Sequence, residues 1–137
     1  MKRRESISHI MTRDVITLSV HDRLEDAERI FHEHKIRHIP ITENHRLVGM
    51  LSLTDLLRIS YVDNFDDSSV GTTVYNMFGI EQVMVSEVMS ISPEDSIRDA
   101  AEILASKEFH ALPVTENGQL VGIVTTTDLI KYLLEQY

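Results

Sequence analysis

Two clusters of hydroxyl and carboxylate side chains lie 73 positions apart in this chain of 137 residues. The two clusters are Ser52, Thr54 and Asp55, and Thr125, Thr127 and Asp128. A carboxylate at the start of a helix can accept hydrogen bonds from two vicinal hydroxyls, such as a ribose 2′,3′-diol. Hydroxyls beside the free N–H groups of that helix can bind a phosphate, which the positive end of the helix dipole favours. Each cluster therefore has the chemistry to bind a nucleotide.

The same spacing is also that of a helix cap. In Ser52-x-x-Asp55 and Thr125-x-x-Asp128, the hydroxyl and the carboxylate can each satisfy a free N–H group of the first helical turn, with no ligand present. One aspartate can serve both purposes, so both interpretations stay open.

The clusters belong to an internal repeat. Residues 10–58 align with residues 83–131 without a gap, and 17 of the 49 aligned pairs are identical. A repeat of this length indicates two copies of one supersecondary unit.

Each copy reads as strand, helix, strand, strand and helix, which predicts an α/β (α+β) fold of two β-α-β-β-α repeats. Residues 15–18 and 88–91 are the first strands, and an amphipathic helix follows each of them. Residues 47–51 and 120–124 are apolar throughout, which predicts strands buried on both faces. The closing helices are expected to start near Thr54 and Thr127.

Prolines and turn residues place the middle strands. Pro40 and Pro113 are predicted at the first residue of a strand, where a missing N–H group is tolerated. The pairs Asn44-His45 and Asn117-Gly118 predict tight turns, of which Asn-Gly is the stronger hairpin signal.

About 50 residues are too few to bury a core alone. We therefore expect repeat 1 (7–60) and repeat 2 (80–137) to pack with pseudo-twofold symmetry as one cooperative module, leaving symmetric clefts at the seam. The connecting segment 61–79 is acidic and polar in its middle, which is typical of a surface loop or of a functional one. Four aromatic residues could anchor it: Tyr61, Phe65, Tyr75 and Phe78.

Composition excludes several classes of function. A net charge of −9 argues against nucleic acid as a partner, because a phosphate backbone needs a basic surface. With no cysteine, disulfides, thiolate metal sites and cysteine nucleophiles are excluded. Neither a signal peptide nor a run of about 18 apolar residues is present, so we expect no membrane association and a cytoplasmic location.

The histidines and glycines do not form recognisable catalytic or metal motifs. His34 and His38 have i, i+4 spacing, but the helix is expected to end near Lys35, which breaks the geometry of a metal site. The sequence has no glycine-rich phosphate loop and no nucleophile elbow. We therefore expect no metal site and no enzyme activity, with Mg²⁺ arriving only with a nucleotide.

The ordered set of motifs, present twice, resembles the CBS (cystathionine-beta-synthase) domain family. The segments that carry the resemblance are the opening at 11–15, 37–41 with 110–114, and 47–56 with 120–129. The chain is similar to a tandem CBS pair, or Bateman module, of the stand-alone bacterial type such as acetoin-utilisation regulators. The resemblance implies a regulatory module that binds AMP, ADP, ATP, S-adenosylmethionine or a related ligand.

The resemblance also implies roles for individual residues. Asp55 and Asp128 would bind ribose, and the hydroxyls beside them ribose or phosphate. The basic residues before each proline, Arg37 and His38 in one repeat and His110 in the other, would reach phosphate; alternatively they are ordinary solvated residues. Because Ala111 stands where repeat 1 has His38, the two phosphate subsites should differ.

Adenine needs apolar walls and backbone polar groups. The candidates are Ile16, Thr17 and Pro40 in repeat 1, and Met89, Ser90 and Pro113 in repeat 2. Their alternative role is core packing, so we expect contact mainly through the backbone.

We therefore expect a homodimeric sensor of an adenosine-containing ligand that controls an unknown partner protein. The apolar residues of the closing helices exceed what one buried stripe needs, which indicates the dimer. The alternative is a dimerisation or docking module with vestigial, ligand-free clefts.

Overall fold

The computed structural model describes residues 5–63 and 77–137, which form two compact units. The central unit comprises residues 16–88, and the terminal unit comprises residues 1–15 together with 89–137. Most of the predicted connecting segment lies outside the described residues, including the suggested anchors Phe65 and Tyr75; Tyr61 lies in a helix, but its side chain is not described.

In residues 16–63 and 77–88, the part of the central unit that the structure describes, strands are interspersed with helices. Its elements are β1 (Leu18–Ser19), α1 (Leu24–His34), β2 (His38–Glu43), β3 (Arg46–Ser52), α2 (Leu53–Asp63) and α3 (Ile80–Val83). Strand β1 is parallel to β2, and β2 is antiparallel to β3.

The terminal unit repeats this plan. Its elements are a short 3-10 turn (Ile7–His9), α4 (Ile97–Ser106), β4 (Ala111–Glu116), β5 (Gln119–Thr125) and α5 (Thr126–Glu135). Strands β4 and β5 are antiparallel, and Ile91 forms a single parallel bridge to Val114. The mixed α and β fold is thus confirmed. Of the predicted first strands, 15–18 and 88–91, only Leu18 in β1 and the bridged Ile91 pair with a neighbouring strand.

Amphipathic patterning explains the packing of the helices. In α1 the side chains of Leu24, Ala27 and Phe31 are buried, as are those of Ile97, Ala100 and Leu104 at the matching positions of α4. The apolar faces cover strands whose central residues are fully buried. Burial of one Leu, Ile or Phe side chain contributes about 1.5–3 kcal/mol, so this patterning dominates the stability of each unit.

Both predicted hairpin turns are confirmed. Asn44 and His45 have φ angles of 53° and 68°, and Asn117 and Gly118 have 56° and 83°. Two successive positive φ angles are those of a type I′ turn, whose twist matches that of the flanking strands. Only the second turn has the glycine that this conformation favours.

The predicted position of the two prolines is wrong: Pro40 and Pro113 are the third residues of β2 and β4. The carbonyl of Pro113 accepts a hydrogen bond from the N–H of Ile91 (3.1 Å). The N atom and the carbonyl of a strand residue point to the same side of the strand. The nitrogen of Pro113 therefore points toward Ile91, which forms only a single bridge, and away from β5. The antiparallel ladder with β5 loses no hydrogen bond, and proline is therefore tolerated inside the strand.

The units do not coincide with the two sequence repeats, because the leading segments of the repeats are exchanged. Residues 7–12 of repeat 1 pack in the terminal unit, where Met11 is buried against Gly122. Residues 80–85 of repeat 2 pack in the central unit, where Met84 lies against Gly49. Both glycines sit where a Cβ atom would overlap the methionine sulfur.

Candidate functional site

The candidate residues of the central unit meet at one end of its sheet. The N–H of Leu53, the first residue of α2, donates to the carbonyl of Arg37 (2.9 Å). His38 pairs with Ser52 across the β2–β3 ladder, so the basic pair lies beside the start of α2. The structure thereby brings together the predicted basic and hydroxyl-carboxylate residues of repeat 1.

The first strand brings two further candidates to the same end. Because β1 runs parallel to β2, with Leu18 opposite Ile41, residues 16–17 lie toward the N-terminal end of β2. Ile16 is half-buried and Thr17 is exposed. We name this group the central site: Ile16, Thr17, Arg37, His38, Pro40, Ser52, Thr54 and Asp55.

The terminal unit has the equivalent arrangement. The carbonyl of His110 accepts hydrogen bonds from the N–H and the hydroxyl of Thr126, at 3.0 and 3.3 Å. Ala111 pairs with Thr125 across β4 and β5, so His110 lies at the start of α5. We name this group the terminal site: Met89, Ser90, His110, Pro113, Thr125, Thr127 and Asp128.

Helix capping, the alternative interpretation of the repeated motif, is confirmed. The hydroxyl of Thr125 accepts from the N–H of Asp128 (3.1 Å), and Asp128 Oδ2 accepts from the N–H of Thr125 (3.0 Å). The hydroxyl of Ser52 likewise accepts from the N–H of Asp55 (3.0 Å). The cap uses Oδ2 of Asp128 and does not involve the other carboxylate oxygen.

The first turns of α2 and α5 differ in their ion pairs. Asp55 Oδ1 accepts from Arg58 Nη1 at 3.2 Å, and the aspartate side chain keeps 19% of its surface exposed. This pair was not among the sequence predictions, although its i, i+3 spacing is the expected signal. Lys131 occupies the equivalent position in α5 and forms no ion pair with any residue in the ranges 5–63 and 77–137.

Thr54 and Thr127 are exposed on the first turn of their helices, next to the N–H groups of that turn. Arg37 and His110 are also exposed, whereas His38 is partly buried. Exposed donors beside a helix start are accessible to an anion, and the helix dipole adds to their attraction.

Only some of the residues expected to contact adenine have an exposed apolar side chain. The side chains of Pro40 and Pro113 are buried in the core, which leaves their backbone as the available contact. Met89 is 45% exposed. The hydroxyl of Ser90 is 3.2 Å from that of Thr115, within hydrogen-bonding distance.

The expected break in the histidine spacing is also seen. Helix α1 ends at His34, and Lys35 follows in the left-handed conformation with φ 53°. Within residues 5–63 and 77–137, no group of three His, Asp or Glu side chains could hold a metal ion.

A cavity of about 410 Å³ in the terminal unit contains none of the candidate residues. Its lining is Ile91, Asp95, Asp99, Glu102, Ile103 and Ser106. Three carboxylates make this cavity unfavourable for a phosphate, and two of them form local hydrogen bonds: Asp95 accepts from the N–H of Ser92, and Asp99 caps α4.

Among the described helices, none has the length and apolar character that a membrane-spanning helix requires.

Comparison with known proteins places this arrangement in a family. The sequence profile of the CBS domain matches residues 7–61 and 80–135. Protein MJ1225 of Methanocaldococcus jannaschii is 32% identical over 93% of this chain and 47% of its own length. Inosine-5'-monophosphate dehydrogenase of Korarchaeum cryptofilum is 31% identical over 94% of this chain and 24% of its own length. The chain therefore spans about half or less of these two relatives.

Solved structures agree with the profile. AcuB of Vibrio cholerae, assigned to acetoin utilisation, is 28% identical with a TM-score of 0.81, over 96% of this chain and 91% of that one. Two structures at 21% identity share the fold, each over 96% of this chain and 98% of the other. They are CBSX2 of Arabidopsis thaliana in complex with AMP, with a TM-score of 0.82, and the CBS pair of MJ0100 in complex with 5′-methylthioadenosine and S-adenosyl-L-methionine, with a TM-score of 0.78. The chain belongs to the CBS domain family and contains a tandem pair of these domains.

Proposed function

We propose that this chain is a regulatory module that binds an adenosine-containing ligand, of the AMP, ADP or ATP class, at the central and terminal sites. The observation that carries this proposal is the backbone link between the basic residue and the helix start in each unit: Arg37 to Leu53, and His110 to Thr126. This link holds a basic side chain, an exposed threonine hydroxyl and a carboxylate beside the start of one helix. Basic side chains and hydroxyls at a helix start can bind a phosphate, and a carboxylate there can accept from a ribose diol.

The family supports the ligand class. AMP is bound by CBSX2, and adenosyl compounds are bound by the CBS pair of MJ0100, both of which have this fold. At 21% identity these complexes support a shared fold, and the individual contacts of the proposed sites rest on the residues of this chain. In our proposal, the module regulates a partner protein and does not catalyse a reaction. A di- or triphosphate ligand would carry Mg²⁺ into the site with it.

Substitution of each aspartate by asparagine tests the ribose role. Asparagine keeps the shape and much of the capping ability, but accepts less well from two hydroxyls. A hydrogen bond to a charged group contributes about 1.5–3 kcal/mol, so Asp55→Asn or Asp128→Asn should weaken AMP at its own site by about 10- to 150-fold. Calorimetry should show the loss of one site per substitution, while the melting temperature without ligand changes little.

Two outcomes would count against the proposal. If the wild-type chain binds none of AMP, ADP, ATP, S-adenosylmethionine or adenosine, the module does not sense these ligands. If both variants melt far lower and bind AMP normally, the aspartates serve only as caps.

A second candidate function, a dimerisation or docking module without ligand, has its own supporting observation. Leu57 of α2 is exposed, and α5 exposes Ile130, Leu133 and Leu134. Exposed apolar side chains on a helix favour association, so we also propose a homodimer. Light scattering at micromolar concentration should return twice the 15.7 kDa mass of one chain; a monomer would contradict the dimer and this second function together.

A further inference from the structure

The exchanged segments lead directly from one candidate site to the other along the chain. In the terminal unit, the N–H of Thr12 donates to the carbonyl of Ile123 (2.9 Å), and the N–H of Ile123 donates to that of Thr12 (3.0 Å). Ile123 lies on β5, two residues before Thr125 of the terminal site. Four residues after Thr12, the chain reaches Ile16 and Thr17 of the central site.

The second segment repeats this pattern in the opposite direction. In the central unit, Val85 and Met50 exchange two backbone hydrogen bonds of 2.9 and 3.0 Å. Met50 lies on β3, two residues before Ser52 of the central site. Four residues after Val85, the chain reaches Met89 and Ser90 of the terminal site.

Both anchor points are packed tightly. A Cβ atom at Gly122 would lie 2.7 Å from the sulfur of Met11 and 3.0 Å from the carbonyl oxygen of Thr12. At Gly49 it would overlap the sulfur of Met84. The two connectors, residues 13–15 and 86–88, have three residues each and span at most about 10 Å. Because a connector is so short, anchoring one end restricts the positions that the residues at its other end can adopt.

We propose that these crossed connectors couple the two sites energetically, so that a ligand at one site changes the affinity of the other. A ligand that orders residues 16–17 would restrict the connector 13–15. Conversely, the anchored Thr12 already limits the conformations of this connector, so the ligand loses less conformational entropy when it binds. Such coupling is reciprocal by thermodynamic necessity. The inference rests on the proposed function, because it requires that both sites bind.

Detachment of one anchor tests the coupling. Thr12→Pro removes the N–H that donates to Ile123, whereas Thr12→Ala keeps both backbone hydrogen bonds. The Thr12 side chain is exposed, so neither variant removes a side chain from the core. Both are made in the Asp128→Asn background, which confines AMP to the central site, and the affinity for AMP is measured by calorimetry.

We expect Thr12→Pro to weaken AMP at the central site roughly fivefold or more, within the range typical of allosteric coupling, and Thr12→Ala to leave it unchanged. Val85→Pro and Val85→Ala in the Asp55→Asn background give the mirror experiment for the terminal site, since Val85 is also exposed. Equal affinities for the proline and alanine variants would overturn the coupling while the proposed function stands. Absence of AMP binding by the wild-type chain would overturn both.

A second pair of variants covers the case in which Thr12→Pro does not fold. Met11→Ala and Leu104→Ala each remove a side chain that is 8% exposed in the core of the terminal unit, but only Met11 lies on the anchored segment. In the Asp128→Asn background, Met11→Ala should weaken AMP at the central site and Leu104→Ala should not. If both weaken AMP equally, the effect is general destabilisation and the connector has no special role.

Discussion

The central and terminal sites share one scaffold but differ in charge. Both place a strand end beside a helix start through the same backbone hydrogen bond, at 2.9 Å in one unit and 3.0 Å in the other. The central site has Arg37 and His38, with Arg58 paired to Asp55, whereas the terminal site has His110 and Ala111. Asn44 and Gly49 of the scaffold have identical counterparts in repeat 2, Asn117 and Gly122, whereas the basic residues at its edge differ. The proposed function therefore predicts that the two sites differ in the length of phosphate chain that they prefer.

Removal of the arginine that distinguishes the two sites should have the largest effect. Arg37→Gln deletes a charged donor at the central site, so AMP binding there should weaken by about 10-fold or more, as expected for a lost hydrogen bond between charged groups. His110→Gln should weaken the terminal site less, because an imidazole has fewer N–H donors for a phosphate than the planar guanidinium of an arginine.

Calorimetry with AMP, ADP, ATP and adenosine measures this difference. The Asp55→Asn and Asp128→Asn backgrounds isolate each site. Equal affinity of all four ligands for the central site would remove Arg37 and His38 from phosphate contact and leave the ribose role in place.

The two glycines that contact the exchanged segments, Gly122 and Gly49, should differ in how much their replacement by alanine lowers the free energy of unfolding. Gly122→Ala would press on the backbone oxygen of Thr12, whereas the closest atoms around Gly49 all belong to the flexible side chain of Met84. Overpacking costs about 1–3 kcal/mol, and we expect Gly122→Ala near the upper end of that range and Gly49→Ala near the lower end. Urea unfolding measures both; a larger loss for Gly49→Ala would show that Met84 cannot move aside.

The sequence predicted the scaffold because its signals are local. Apolar spacing located the helices, and Asn44-His45 and Asn117-Gly118 located the turns. The gapless repeat then indicated that the two halves fold alike.

Features that depend on long-range pairing were not predictable in this way. The exchange of Met11 and Met84 leaves no local trace, since either repeat could have packed its own leading segment. The prolines were misplaced because strand length depends on which neighbour pairs on each side. The shared spacing of a cap and a ribose site left the role of Asp55 and Asp128 open, and the caps in the structure do not exclude a ligand.

A tyrosine gives the terminal unit a pH dependence that the central unit lacks at the equivalent position. Tyr132 donates to Glu5 Oε1 at 2.8 Å, and this hydrogen bond to a carboxylate raises the pKa of the phenol above its usual value of 10.0. The equivalent residue in α2 is Ile59. Because the folded state holds the proton more tightly, this contribution is complete below about pH 10 and is lost as the pH rises through the folded pKa.

The free energy of unfolding of the wild type should therefore fall more steeply above pH 10 than that of Tyr132→Phe. Urea unfolding between about pH 8 and pH 11 measures the two slopes, and Tyr137→Phe is the control because Tyr137 is 97% exposed. Parallel slopes for all three proteins would show that the Glu5 contact does not hold the proton.

The smallest expected difference lies in the two hairpin turns. His45 adopts a φ of 68° where the matching turn has Gly118 at 83°, and a left-handed conformation costs a residue with a side chain about 1–2 kcal/mol. Glycine removes this cost but gains about 0.5–1 kcal/mol of entropy in the unfolded chain. His45→Gly should thus stabilise the central unit by a few tenths to about 1 kcal/mol, and Gly118→His should destabilise the terminal unit by a similar amount. Both residues lie at a turn away from the candidate sites, so AMP affinity should stay constant in both variants. Urea unfolding of the reciprocal pair is the measurement, and a loss of stability in His45→Gly would mean that the histidine side chain makes a contact worth more than the backbone strain.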